Sequence, residues 1–394
     1  MMRLRNSCGL AALLALGGVA CDHPSNQSLP GELGADLVEP DSINPTGSVR
    51  IRFTNPSPDP VFGAADVRAD PGFWLRPVRQ DLHLYRIPPE TTIVVEARYE
   101  FSRVSPGAVL HVRAGVPELR ADRVLAIPEP VLVRSVDLGS TTEARAFIGR
   151  FDTVASKHLT LYALRNGPAV RALPSLLVQR ESAAVAIGRF LQVEPPGGIR
   201  MVFYPDSASK TTDTRHIGNG WANGSNIVEI YNDSTRVDPY HELTHLIAAR
   251  AGGPPAWLDE GLATWMSEHF GADALELLGF SGLPVREAGC RLERQDKLVP
   301  ATRLFGVREF GGDSVPGDVA YAESAAMVQY LIERLGAPRF LELFARLEAG
   351  ISAVPVDENR RTFEGIVGGS VETFEREYRE WLRAACGNRS VRGA

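Results

Sequence analysis

Between Gly47 and about Leu138 apolar residues recur at every second position, and beyond about residue 145 they do not. This change of period constrains the fold more than any other feature of the chain. In the first stretch Val49, Ile51 and Phe53 share one phase, with Arg50 and Arg52 between them. Ile93, Val95, Ala97 and Tyr99 repeat the scheme, as do Leu110 and Val112. Side chains alternate across a strand, so the pattern predicts half-buried strands, and Pro, Gly, Asn and Asp clusters interrupt it at strand-length intervals.

Residues 46–140 are therefore expected to form a small all-β sandwich, loosely similar to bacterial immunoglobulin-type domains and serving as a spacer or accessory unit. Over residues 145–390 the texture differs. Leu159 and Leu161 lie in a strand-like stretch, Ala169 to Leu191 carries apolar residues at helical spacing, and Ile199–Tyr204 and Asn226–Tyr231 read as strands. The remainder is mainly helical. Strands first and helices afterwards give an α+β class. With 394 residues, 44% of them hydrophobic, both units can bury a core.

Arg3 and Arg5, the apolar run Gly9 to Ala20, and Gly-Val-Ala just before Cys21 have the architecture of a signal peptide over residues 1–20. Small residues before a cysteine resemble the lipobox of bacterial lipoproteins. That resemblance implies cleavage before Cys21, a diacylglyceryl group on its sulfur, and a protein tethered by lipid to a membrane of the bacterial cell envelope; plain secretion is the alternative. Residues 21–45 then read as a flexible tether. The apolar run is too short to span a bilayer. A net charge of −6 argues against nucleic acid or anionic lipid as an electrostatically held partner. Once Cys8 is cleaved off and Cys21 acylated, Cys290 and Cys386 remain, either as a disulfide in an oxidising envelope or as two buried thiols.

Asp238-Pro-Tyr-His-Glu-Leu-Thr-His, continued to Ala251-Gly-Gly-Pro-Pro, predicts one short helix. Asp238 suits its N-cap, Pro239 its first turn, and Gly252 with Pro254 its end. His241 and His245 stand four residues apart and project from one face, so two imidazole nitrogens can reach a single zinc ion. Glu242 lies between them and can address a water on the same metal. Chance would place such a His-Glu-x-x-His in a chain with 8 histidines on the order of 0.01 times. A solvated helix that happens to carry two histidines is the bland alternative.

Trp257-Leu-Asp-Glu-Gly-Leu-Ala263 follows, and here the chain resembles the gluzincin metallopeptidases. Their aminopeptidase branch carries Trp-Leu-Asn-Glu-Gly-Phe-Ala on a second helix, with the glutamate as third zinc ligand. The resemblance covers about residues 150–386, although its specific part is three short motifs. It implies a zincin-like domain, one Zn2+ held by His241, His245 and Glu260, and hydrolysis of peptide bonds in a protein or peptide substrate. The spacing from His245 to Glu260 is shorter than in that branch, which implies a shorter connection between the helices. In the third motif, Val319-Ala-Tyr-Ala-Glu, Tyr321 occupies the place of the family's tyrosine that hydrogen-bonds the oxyanion.

Asp259 and Thr264 are candidates to orient a ligand from behind. His216 and Gly218 to Gly224 precede the last strand, where gluzincins lay substrate along the sheet edge, and read as a surface loop. His83, His111, His158 and His269 are ordinary surface or core residues. The aminopeptidase branch grips a free amine with a Gly-x-Met-x-Asn loop; none precedes His241, which favours an endopeptidase. Two alternatives stand beside this reading. One is a lipid-anchored binding protein with a vestigial or structural metal site; the other is a zinc amidase acting on a non-protein substrate.

Overall fold

A computed structural model describes residues 33–38, 46–304 with short gaps, 310, 316–348 and 356–386; the gaps are 73, 76–79, 102, 121–122, 129 and 139–140. The expected signal peptide, the anchor at Cys21 and much of the expected tether lie outside the described residues.

The N-terminal unit contains β1 (Gly34–Val38), β2 (Thr46–Asn55), β3 (Val61–Asp70), β4 (Gln80–Ile87), β5 (Thr91–Glu100), β6 (Val109–Gly115), β7 (Glu118–Arg120), β8 (Arg123–Ala126) and β9 (Pro130–Asp137). One antiparallel sheet has the order β1-β2-β5 and a second β4-β3-β6-β9, with β7 and β8 paired separately. Val49, Ile51 and Phe53 of β2 meet Val67 of β3 and Val112 of β6 in a single core. Arg50 and Arg52 are exposed, as the alternation requires. β1 corrects the expected tether. Gly34 to Val38 pairs with Thr54 to Arg50 along its whole length, and Ala35 and Leu37 pack against the core, so this segment belongs to the sheet.

The second unit opens with α1 (Thr142–Ile148), where the Thr141 side chain accepts from Ala144 N. It continues through β10 (Phe151–Ala155), β11 (Leu159–Leu164), α2 (Ala169–Leu191), β12 (Ile199–Tyr204), α3 (Ser207–Thr214), β13 (Gly220–Asn223) and β14 (Asn226–Ile230). Their sheet has the order β10-β11-β12-β14-β13. Its three middle strands are parallel, and both outer strands are antiparallel to their neighbours. The sequence reading of Gly218 to Gly224 as a loop is corrected for Gly220–Asn223, which forms the outer strand β13. Gly224, at φ +60°, and Ser225 turn the chain in two residues onto Asn226, a hairpin that a residue with a Cβ would strain.

Helices complete the unit: α4 (His241–Ala248), α5 (Ala256–His269), α6 (Val285–Arg294), α7 (Ala301–Leu304), α8 (Gly317–Leu335), α9 (Ala337–Arg346), α10 (Val356–Val367) and α11 (Val371–Cys386). The architecture is thus mixed α+β. Met201, Phe203 and Ile227 on one face of the sheet pack against Leu173 and Ile187 of α2 and Leu243 and Ile247 of α4. Gly261 sets the distance between α5 and α8, since a Cβ there would lie 2.6 Å from the Ser324 carbonyl oxygen. Cys290 on α6 and Cys386 on α11 are disulfide-bonded, with Cα atoms 5.9 Å apart, which decides between the two alternatives left open by the sequence. No helix among the described residues is long and apolar enough to cross a membrane.

Glu323, buried on α8, accepts a hydrogen bond of 2.7 Å from Val299 N. Burial, reinforced by nearby carboxylates, raises its pKa to about 8. The folded protein therefore retains a proton that the unfolded chain releases above about 4.5. Stability is expected to fall as pH rises from that value toward 8 and then to level off. Glu323→Gln should flatten this slope and stabilise the protein at pH 9 by about 1–3 kcal/mol. Urea unfolding of both proteins at pH 6 and 9 checks it; parallel slopes would show that Glu323 is not the titrating group.

Candidate metal centre

The helix carrying His241 and His245 starts later than its sequence suggests. Pro239 and Tyr240 remain outside it, yet Asp238 still caps it: Oδ1 accepts from Tyr240 N at 2.8 Å and His241 N at 3.1 Å. The same oxygen accepts from Ser267 Oγ at 2.9 Å, so the cap of α4 is tied to the far turn of α5. At the other end, His245 Nδ1 lies 2.9 Å from Asp259 Oδ2 on α5. Two bonds thus pin the helices against each other.

Between those pins the three ligand candidates converge. His241 Nε2, His245 Nε2 and Glu260 Oε2 form a triangle with every edge 3.3 Å. A tetrahedral zinc with bonds of about 2.0–2.1 Å needs donor atoms about 3.3 Å apart, so the triangle fits that ion. Glu260 Oε2 is buried and without a hydrogen bond among the described residues, an acceptor that a cation would satisfy. These three residues are the one group of this kind among the described residues.

The electrostatics agree. Burial alone would raise Glu260, but the charge of His245 and the contacts of both imidazoles hold its carboxyl well below the usual range. Burial disfavours a charged His245, yet Asp259 and Glu260 outweigh it and raise the ring well above its ordinary value. The site attracts positive charge, whether as protons or as a metal ion, and affinity for a metal ion there must weaken as pH falls. A proton on His245 Nδ1, donated to Asp259, leaves Nε2 its lone pair for the metal. Asp259→Ala is expected to weaken zinc binding by about 10–100-fold, as read by chelator competition. An unchanged affinity would remove Asp259 from the site. Thr264, its fellow candidate, is buried with its hydroxyl unpartnered among the described residues.

Glu242 is raised, chiefly by burial and against the pull of His241 and His245. A Cβ on Gly220 would lie 2.9 Å from its Oε1, so the bare backbone of β13 runs directly beside this carboxylate. Tyr321, in the first turns of α8, has its ring centroid 6.1 Å from that of His241 and is met edge-on by Phe310 at 5.2 Å. Burial, then the charges of Glu260 and Glu242, raise its phenol, which stays a proton donor at neutral pH.

Several residues that shape this centre escaped the sequence reading. Arg180 on α2 donates to Glu229 Oε2 at 2.7 Å and to the Val237 carbonyl at 2.9 Å, and also to the carbonyl of Asp238. All of this holds the turn that leads into α4. Both partners occupy the inward phase of apolar elements, Arg180 with Leu173 and Leu176, and Glu229 with Ile227. That misplacement was a readable signal; the pairing was not. Away from the centre, His158 is a core histidine paired with Glu181 at 2.6 Å, and His269 stacks on Trp265.

No family model matches the chain, and no curated protein matches it. Among solved structures, it is similar to an aminopeptidase N family protein from Idiomarina loihiensis, with TM-score 0.42, 10% identity, and coverage of 88% of this chain and 75% of that one. It is also similar to IMPa from Pseudomonas aeruginosa in complex with an O-glycopeptide, with TM-score 0.28, 10% identity, and coverage of 90% of this chain and 48% of that one. The chain thus spans about half the length of IMPa. What the site can do follows from its own atoms.

Proposed function

We propose that the chain is a zinc-dependent peptidase acting on proteins or peptides as an endopeptidase. The observation that carries this reading is the 3.3 Å triangle of His241, His245 and Glu260 with Glu242 alongside it. When bound, zinc supplies a Lewis acid that acidifies a water and polarises a carbonyl. The chain's own groups do the rest. Glu242 takes the proton of the attacking water and returns it to the leaving nitrogen. The Tyr321 phenol donates to the carbonyl oxygen as negative charge develops there.

β13 is an outer strand whose one ladder partner among the described residues is β14, and it borders Glu242. Its outer edge suits an extended peptide backbone pairing as an added strand. Gly220-Trp-Ala-Asn223 offers no carboxylate to grip a free amine, which supports internal cleavage. The Cys290–Cys386 disulfide supports an oxidising compartment and hence the cell envelope, with Cys21 as the lipid anchor. Zinc analysis with a peptide-library digest, with and without chelator, tests the activity. One zinc per chain and chelator-sensitive internal cuts are expected. Stoichiometric zinc without any peptide cleavage would favour a binding protein, and release of peptidoglycan fragments instead would favour an amidase.

A further inference from the structure

The N-terminal unit reads from sequence as a spacer, but its contacts lead to the catalytic sheet. Strand side chains alternate, so β12 and β14 present Val202, Tyr204 and Val228 on the face opposite α2 and α4. That face is closed by Trp74, from the segment after β3. Trp74 is fully buried, lies 4.9 Å from Tyr162 and 5.2 Å from Phe151 by ring centroids, and donates from Nε1 to the Tyr204 hydroxyl at 3.2 Å. Trp221 of β13 belongs to the same cluster.

A second route is polar. Arg103, just beyond β5, donates from Nε to Asp213 Oδ1 on α3 at 2.8 Å, where Arg150 joins at 3.1 Å. The Asp213 side chain is 1% exposed and that of Arg103 44%. Two residues on, Arg215 lies 3.9 Å from Glu100 of β5. α3 in turn holds the chain entering β13: Lys210 Nζ donates to the His216 carbonyl at 3.0 Å, Thr211 Oγ1 does so at 3.2 Å, and Thr214 Oγ1 accepts from His216 N at 3.2 Å. Four residues later Gly220 abuts Glu242.

We propose that the N-terminal unit is a positioning part of the active site. Through Trp74 against the Trp221 face and Arg103 on Asp213, it fixes the height and register of β13 beside Glu242, and thereby the track along which substrate lies. α3 is short and carries few apolar residues of its own, so its seat depends on these charged and buried contacts across the boundary. The effect on substrate rests on the peptidase reading; the effect on β13 does not.

The test compares full-length Arg103→Ala, Arg103→Lys and Trp74→Phe with the parent by amide hydrogen exchange and by peptide kinetics. Arg103→Ala is expected to speed exchange over residues 216–223 about tenfold while α4 and α5 keep their protection, since removal of one charged hydrogen bond has this magnitude. KM should rise about tenfold with kcat within about twofold and zinc content unchanged. Arg103→Lys should recover part of both. Trp74→Phe keeps an aromatic ring but leaves a cavity and loses the Tyr204 bond, and should also speed exchange in the same segment. Exchange over 216–223 unchanged in every variant, or raised equally through α4 and α5, would overturn the proposal whatever the kinetics show. If the parent cleaves no peptide, the peptidase reading fails and the exchange result still decides this one.

Discussion

Glu242→Gln is expected to retain zinc and lower kcat by about 10²- to 10⁴-fold. The substitution keeps the volume of the side chain beside Gly220 and leaves the His241, His245 and Glu260 triangle untouched, so metal content and melting temperature should match the parent. What it removes is the only function that requires a carboxylate at that point, acceptance of a proton near neutral pH. The sign of the pH dependence follows. In the parent, activity is lost on the acid side as Glu242 is protonated. In the variant that acid limb should vanish. Zinc analysis and a pH-rate profile on one peptide substrate suffice; equal rates in parent and variant would mean that Glu242 is not the base.

Arg180→Ala is expected to cost about 3–5 kcal/mol of stability. Arg180 and Glu229 are both almost fully buried, and truncation leaves the carboxylate without its counter-charge. Burial already raises Glu229 despite the guanidinium, so the lone carboxyl would hold its proton in the fold and release it on unfolding. A raised carboxyl contributes stability that declines with rising pH, so the loss should be greater at pH 9 than at pH 6. Arg180→Met with Glu229→Gln, which removes both charges, should recover most of it. Because Arg180 also holds the Val237 and Asp238 carbonyls, Arg180→Ala should in addition weaken zinc binding. Urea titrations at both pH values and a chelator competition read these effects. A loss below about 1 kcal/mol at pH 9 would show that the pair does not secure the turn before α4.

Local physics made much of the protein legible in advance. The alternation from Val49 to Phe53 predicted its inward face because strand geometry leaves no other choice. The four-residue spacing of His241 and His245 predicted a shared face for the same kind of reason. Turns are less visible: Gly218 to Gly224 reads as a loop because its one strand signal, Trp221, stands in a run that holds Gly218, Gly220 and Gly224. Gly34–Val38 has too short a pattern to distinguish from a tether until β2 is present to pair with it.

Sequence alone thus determined the class of the fold, the helix that bears the histidine pair, and the short list of residues able to join a metal. Only the tertiary structure decided that Glu260 meets both histidines at 3.3 Å, that Asp259 and Ser267 pin α5 to α4, and that Trp74 and Arg103 reach the sheet of the second unit from the N-terminal one. The reason is one of range. Backbone periodicity and capping act over a few residues and are written locally, whereas these contacts join segments remote in the chain, and their distances are set by how whole elements pack.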